Sequence, residues 1–198
     1  MTLSNWLKDE QLEELLDRYY ASAHDQDKWS HHLRRLVERA KNQVFNRDAI
    51  DTLPDDELVE RLLDIYRDIV RVPMYYKAIA NHPSQVRQAL RYLLHSDDGI
   101  VTKLNAVRQR DGAHYRKGLG KSFWSLFLMA LNPSENPYWN NKTEDALDAL
   151  GMATWSSSDS PGEIYVKVAE AERALADLHP QADLYDIDHF MHFLTELE

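Results

Sequence analysis

The chain has 198 residues and a formal net charge of −10, from 33 acidic and 23 basic side chains. It contains no cysteine, which excludes disulfides, thiolate nucleophiles and cysteine-ligated zinc or iron–sulfur sites. The negative balance argues against a protein that coats nucleic acid indiscriminately. No apolar run approaches the roughly 18 residues of a membrane helix, and the first residues lack a secretory signal pattern. We therefore expect a cytoplasmic protein without a membrane partner.

Apolar side chains recur at helical spacing through the first half of the chain. The first such pattern extends from Leu7 to Tyr19, and the second from Asp27 to Phe45. The stretch DTLPDDELVERLLDIYRDIV begins a third helix, with acidic residues in its first turn. Pro73 and Pro83 then precede two shorter helices.

The second half continues in the same way. Gly99 opens the helical stretch IVTKLNAVRQR, a nearly all-apolar segment occupies residues 123–131, and the loop SSSDSPG precedes the last two helical patterns. No segment alternates apolar and polar residues over strand length. We predict an all-α protein of nine or ten helices. Residues 1–198 form one compact domain in this interpretation, with a division into 1–98 and 99–198 as an alternative.

Positive charge is concentrated in two segments. Residues 28–47 contain six Lys or Arg against one acid, and residues 103–121 again contain six against one. From residue 144 onward the balance reverses, with thirteen acids and two bases. Such segments fit a localised surface that faces phosphate, or simply two solvated helix faces. The first segment supplies the residues of a candidate DNA track: Arg34, Arg35, Arg39 and Lys41.

The stretch YRKGLGKS predicts a tight turn between two helices, in which Gly118 and Gly120 permit positive φ and close backbone approach. Backbone N–H groups of such a turn, at the start of a helix, form a site for one phosphate. Arg116, Lys117 and Lys121 lie beside it in the sequence. The alternative is a helix–helix turn that needs its glycines only for steric reasons.

Residues 118–151, GLGKSFWSLFLMALNPSENPYWNNKTEDALDALG, resemble the helix-hairpin-helix DNA glycosylase superfamily. In that superfamily a glycine-rich hairpin holds a DNA backbone phosphate, and an apolar helix leads through a proline-bounded loop to a catalytic aspartate. Gly118 and Gly120 match the hairpin glycines. Lys121 lies where the bifunctional members have a Schiff-base lysine, and Asn140 stands where the aspartate belongs. The resemblance implies a glycosylase-like helical half.

The departure at Asn140 bears on chemistry, because an amide cannot act as a base or as a carboxylate counter-charge. An amide can hydrogen-bond a base edge as donor and acceptor, so Asn140 and Asn141 become candidates for base recognition. Tyr138 and Trp139 could stack on an extruded base. Two alternatives stay open. Trp139 could fill the core, and the asparagines could precede the next helix, with Asn141 or Thr143 as its N-cap.

A second resemblance is carried by LNPSENPYWNNKTEDALDALG, GEIYVKVAEAERAL and YDIDHFMHFL. These stretches are similar to helical regions attached to the ATPase subunit of McrBC-type modification-dependent restriction systems, or to related phage-defence proteins. The resemblance implies a region that contacts DNA while motor and nuclease lie elsewhere, with a defence-system protein as partner. The sequence contains no G-x-x-x-x-G-K-[ST] motif, so the chain is not itself the ATPase.

Other constellations are weaker. His189 and His192, beside Asp188, could supply two metal ligands, but no H-E-x-x-H or other third-ligand pattern accompanies them. We expect neither a metal nor a cofactor. The spacing gives no support to Asp186 or Asp188 as a displaced substitute for the missing aspartate.

Together these features favour a non-catalytic DNA-binding protein that recognises a modified or flipped base, with restriction or phage defence as its setting. The first alternative is an active DNA glycosylase or AP lyase that uses Lys121. The second is a protein–protein interaction module or defence regulator without DNA binding, which the strong acidity favours.

Overall fold

The computed structural model describes residues 9–22, 29–69 and 73–196. These residues form eleven helices and no strand, which confirms the all-α prediction. The helices are α1 (Asp9–Ser22), α2 (Trp29–Gln43), α3 (Arg47–Thr52), α4 (Asp55–Ile69), α5 (Pro73–Asn81), α6 (Pro83–His95), α7 (Ile100–Arg108), α8 (Lys121–Leu131), α9 (Asn141–Ala149), α10 (Pro161–Asp177) and α11 (Leu184–Glu196). Leu7, Asp27 and Lys28, which belong to predicted segments, lie outside the described residues.

The short helix α3 is the element that the periodicity did not predict. Asn46 caps it by accepting a hydrogen bond from the Ala49 amide at 2.9 Å, which is ordinary N-cap chemistry. The buried Arg87 guanidinium of α6 then binds the corner between α3 and α4. It donates to the carbonyls of Ile50 at 2.6 Å and Leu53 at 2.5 Å, and its Nε donates to Asp55 at 2.8 Å. A six-residue helix is therefore fixed by tertiary hydrogen bonds.

Helix α8 lies at the centre of the core. Its eight residues 123–130 are all buried, as its nearly uniform apolar sequence predicts. Helix α2 packs against it, and Tyr66 of α4 stacks on Phe123 with ring centroids 4.6 Å apart. The Tyr66 hydroxyl also donates to the Phe123 carbonyl at 2.7 Å. The start of α8 is thus held rigidly from the α4 side.

Helices α7 and α10 pack closely because Gly162 has no side chain. A Cβ at Gly162 would lie 2.3 Å from the Val101 carbonyl oxygen. The Asn105 side chain closes the same contact, since its Oδ1 accepts from the Gly162 amide at 2.8 Å and its Nδ2 donates to Ser160 at 3.1 Å. This junction fixes α10 relative to the helix that precedes the glycine turn.

One hydrophobic cluster contains buried residues from Leu12 of α1 to Leu194 of α11. The division into residues 1–98 and 99–198 stays a prediction. None of the helices in the described ranges is long and apolar enough to cross a membrane.

Candidate functional site

The connection between α7 and α8 occupies residues 109–120. The predicted tight turn lies near its end, where the Leu119 amide donates to the Arg116 carbonyl at 3.1 Å, but this turn does not join the two helices directly. Gly118 has a φ of 98°, in the left-handed region that favours glycine. Gly120 has a φ of −88°, so positive φ is not what its position requires. A Cβ there would lie 2.7 Å from the Tyr75 hydroxyl. The steric alternative therefore accounts for Gly120.

Lys121, the first residue of α8, forms an ion pair with Glu144 of α9. Its Nζ lies 2.5 Å from Glu144 Oε2, and the two side chains are 16% and 29% exposed. The other carboxylate oxygen, Oε1, accepts from the Trp139 indole N–H at 2.8 Å. Lys121 Nζ also lies 5.4 Å from the centroid of the Trp139 ring, within the range of a cation–π contact. Glu144 is therefore the acceptor that joins the starts of α8 and α9.

Arg108 extends this positive region, and Arg116 lies in the connection between α7 and α8. Arg108, at the end of α7, lies over the Trp139 ring at 6.0 Å, and burial lowers the pKa of its guanidinium, although the nearby Tyr75, Tyr115 and Glu144 oppose this. Arg116 donates from Nη1 to the Tyr115 carbonyl at 2.5 Å.

The Nε atoms of Arg108 and Arg116 are buried, and neither has a hydrogen-bond partner among the described residues. We call Arg108, Lys121, Trp139 and Glu144 the turn cluster, with Arg116 in the connection that leads to it. Lys117 is exposed beside it. Neither Arg108 nor Glu144 was recognisable from the sequence, because their partners come from other helices.

The aromatic residues before α9 belong to the core. Tyr138 is 4% exposed and Trp139 is 2% exposed, so neither ring has a face available for stacking on an extruded base. The Trp139 backbone is clamped onto α8, since its N–H donates to Ser125 Oγ at 2.9 Å and the same hydroxyl donates to its carbonyl at 3.3 Å. The structure corrects the base-stacking hypothesis for both residues.

Asn140 is the N-cap of α9, so the prediction of Asn141 or Thr143 as the cap is wrong. Its Oδ1 accepts from the Thr143 amide at 3.2 Å, and its own amide donates to Thr143 Oγ1 at 3.3 Å. This reciprocal pair is a capping box. Asn140 Nδ2 donates to Asp188 at 3.4 Å. Both ends of this side chain are engaged internally, which speaks against base recognition, whereas Asn141 is exposed.

Behind this cap lies a second group of polar side chains, Tyr138, Tyr165, Glu172 and Asp188, which we call the interior cluster. Glu172 and Asp188 are 0% exposed. Neither carboxylate oxygen of Glu172 has a hydrogen-bond partner among the described residues. Burial, followed by the nearby Asp188, raises the pKa of Glu172 well above its ordinary value of 4.5.

The position of Glu172 in the core was readable from its helical spacing to Val168 and Leu175, which are both fully buried. The proximity of Asp188 to Asn140 was not, because 48 residues separate them. Linear spacing does not predict such a contact.

The candidate DNA track on α2 is partly neutralised. Arg34 pairs with Asp183 at 2.8 Å and Arg39 pairs with Asp68 at 2.6 Å. Arg35 and Lys41 are exposed. The first basic segment therefore contributes fewer solvent-facing charges than its sequence suggests.

The two histidines of α11 face different helices. His189 Nδ1 lies 2.8 Å from the Tyr19 hydroxyl of α1, and His192 Nδ1 lies 3.2 Å from Lys142 Nζ of α9. In the ranges that the structure covers, no group of three or more His, Asp or Glu side chains is arranged to hold a metal ion.

Comparisons of the chain with protein-family models, curated proteins and solved structures find no match.

Proposed function

We propose that this chain binds DNA through a backbone phosphate at the turn cluster and does not cleave it. The carrying observation is the position of two cationic side chains, Lys121 and Arg108, beside the Glu144 carboxylate at the start of α8, with Arg116 in the connection that leads into this helix. The first amides of a helix have no i−4 acceptor within it. Gly120 has no side chain to cap those of α8, although the Phe123 amide donates to the Gly120 carbonyl at 3.1 Å. Helix dipole and cations favour an anion together.

Two contacts support binding without catalysis. The Lys121 ammonium donates to Glu144 at 2.5 Å, and an ion-paired ammonium has no lone pair with which to attack a sugar. Asn140 is an amide engaged in the α9 cap. The alternative of a glycosylase or AP lyase that uses Lys121 is therefore less favoured.

We propose contacts to the DNA backbone and not recognition of a flipped base, because the rings of Tyr138 and Trp139 are buried. Backbone contacts position a protein on DNA and carry no sequence information themselves. A restriction or phage-defence assembly, in which another subunit cuts, is the setting that we propose.

Fluorescence anisotropy with short duplexes tests the proposal, using unmodified, cytosine-modified and abasic DNA at low and moderate salt. Lys117→Ala and Arg116→Ala should each weaken binding on all three duplexes alike. Each should also reduce the slope of log K against log salt by about 0.9. Lys117 is exposed, so its substitution leaves the fold intact.

Arg173→Ala is the matched control. It removes one positive charge from the surface pair with Glu135, which lies beyond the opposite end of α8, about 15 Å along the helix axis. Its affinity and salt slope should equal those of the wild type. Flat titrations on every duplex would overturn the proposal and favour the protein-interaction alternative.

A further inference from the structure

We infer that Glu144 is an internal competitor for the phosphate site, which a bound phosphate displaces. This inference rests on the proposed function and concerns the regulation of the same site. Glu144 sets the affinity threshold of the site, so a phosphate enters only when it binds the donors better than this carboxylate does.

The geometry of Glu144 matches that of a bound anion. Its two oxygens accept separately, Oε2 from Lys121 at 2.5 Å and Oε1 from the Trp139 indole at 2.8 Å. A phosphate presents two oxygens of the same kind, so it would use the same two donors. The Arg108 guanidinium lies within electrostatic range of Glu144 and would interact with a phosphate in its place.

The Trp139 donor is held in place, and the Glu144 acceptor is the part that can move. Trp139 is buried and its backbone is clamped by Ser125. The cap of α9 uses Asn140 and Thr143, so it does not depend on Glu144. With 29% of its side chain exposed, Glu144 can rotate into solvent while α9 stays in position. A phosphate can therefore displace the Glu144 carboxylate when this side chain changes its rotamer, without a movement of α9.

The expected size of the effect follows from the energy of a partly exposed ion pair. Removal of such a competitor should raise phosphate affinity about fivefold. Glu144→Gln makes this change at nearly constant shape. Glu135→Gln is the matched control, because it neutralises a glutamate in the ion pair with Arg173. Glu144→Asp keeps the charge on a shorter side chain, so its affinity should lie between those of the wild type and Glu144→Gln.

Two measurements test the inference. The first is DNA affinity by fluorescence anisotropy for the wild type and the three variants. The second is the indole N–H resonance of Trp139 in a ¹H–¹⁵N spectrum, assigned among the five tryptophans with Trp139→Phe. Separate titrations with duplex DNA and with inorganic pyrophosphate distinguish backbone phosphate from free phosphate. The same spectrum shows that each variant is folded.

We expect tighter DNA binding by Glu144→Gln than by Glu135→Gln, and a shift of the Trp139 resonance when DNA binds. DNA binding with equal affinities and an unmoved resonance would overturn the role of Glu144 and leave the proposed function standing. A resonance shift with pyrophosphate, without DNA binding by any variant, would overturn the proposed function and support the competitor. No response to either ligand would overturn both.

Discussion

Glu144 and Glu172 lie on neighbouring helices and have opposite surroundings. Glu144, in the turn cluster, is 29% exposed, and each of its oxygens accepts from a named donor. Glu172, in the interior cluster, is fully buried, and its oxygens have no hydrogen-bond partner among the described residues. The acidic residues of the last third of the chain therefore lie in different environments and cannot be treated as one group. One carboxylate accepts from two donors at a partly exposed position, and the other is buried without a donor among the described residues, which is an unfavourable environment for a charged group.

Trp139 connects the two clusters. Its indole N–H binds Glu144, while its ring contacts Tyr165 with centroids 5.8 Å apart. The Tyr165 hydroxyl donates to the Pro137 carbonyl at 3.1 Å, so this side of the loop is also held from α10. Substitution of Trp139 thus perturbs both clusters at once.

The largest expected effect is that of Trp139→Ala. Removal of a buried tryptophan from a clamped loop should lower the free energy of unfolding by about 3–5 kcal/mol, measured by urea denaturation. Trp139→Phe keeps most of the buried ring and should cost less. A Trp139→Ala protein with the stability of the wild type would contradict the core role.

The second prediction concerns Glu172. Glu172→Met replaces an unpartnered carboxyl by an apolar side chain of similar length and should raise the free energy of unfolding by about 1–3 kcal/mol at pH 7. Glu170→Met is the control, since Glu170 is exposed on the same helix. It should change stability by less than about 0.5 kcal/mol. Equal effects of the two substitutions would show that burial of Glu172 carries no penalty.

The third prediction concerns the direction in which the free energy of unfolding changes with pH. The pKa of Glu172 is raised in the folded protein and ordinary, near 4.5, in the unfolded chain. The folded state therefore holds the proton that the unfolded state releases, and the contribution of Glu172 to stability falls as the pH rises above 4.5. Urea denaturation between pH 4 and pH 8 should show this fall in the wild type and a weaker one in Glu172→Met.

Helical periodicity predicted the fold class and most helix positions, because a buried face imposes a 3.6-residue repeat. It failed at α3, where six residues are too few for a repeat and Arg87, 37 residues after Ile50, supplies the anchor. Between α7 and α8 the glycine pattern was confirmed only at Gly118, which has positive φ in a turn that the Leu119 amide closes on the Arg116 carbonyl. Gly120 has a negative φ and instead lies against the Tyr75 hydroxyl, 45 residues earlier in the chain.

The candidate site was predictable only as a set of basic residues beside glycines. Lys121 was named from the sequence, but its partner Glu144 was not, because the pair joins two helices across a loop of nine residues, 132–140. Ion pairs between distant parts of the chain decide whether a cation is left for an external ligand. Arg34 and Arg39 on α2 are likewise paired with acidic residues of other segments. Charge counts along a sequence do not contain that information.

The smallest expected effect concerns Asn140, which caps α9 and donates to Asp188 of the interior cluster. Asn140→Ala removes the acceptor of the capping box and should lower the free energy of unfolding by about 1 kcal/mol. Asn140→Ser keeps a cap acceptor and should lower the free energy of unfolding by only a few tenths of a kcal/mol. If Asn140 is structural, DNA affinity stays unchanged in both variants. A loss of affinity confined to modified duplexes, with stability unchanged, would instead assign Asn140 to the base and show that the cap is not its main role.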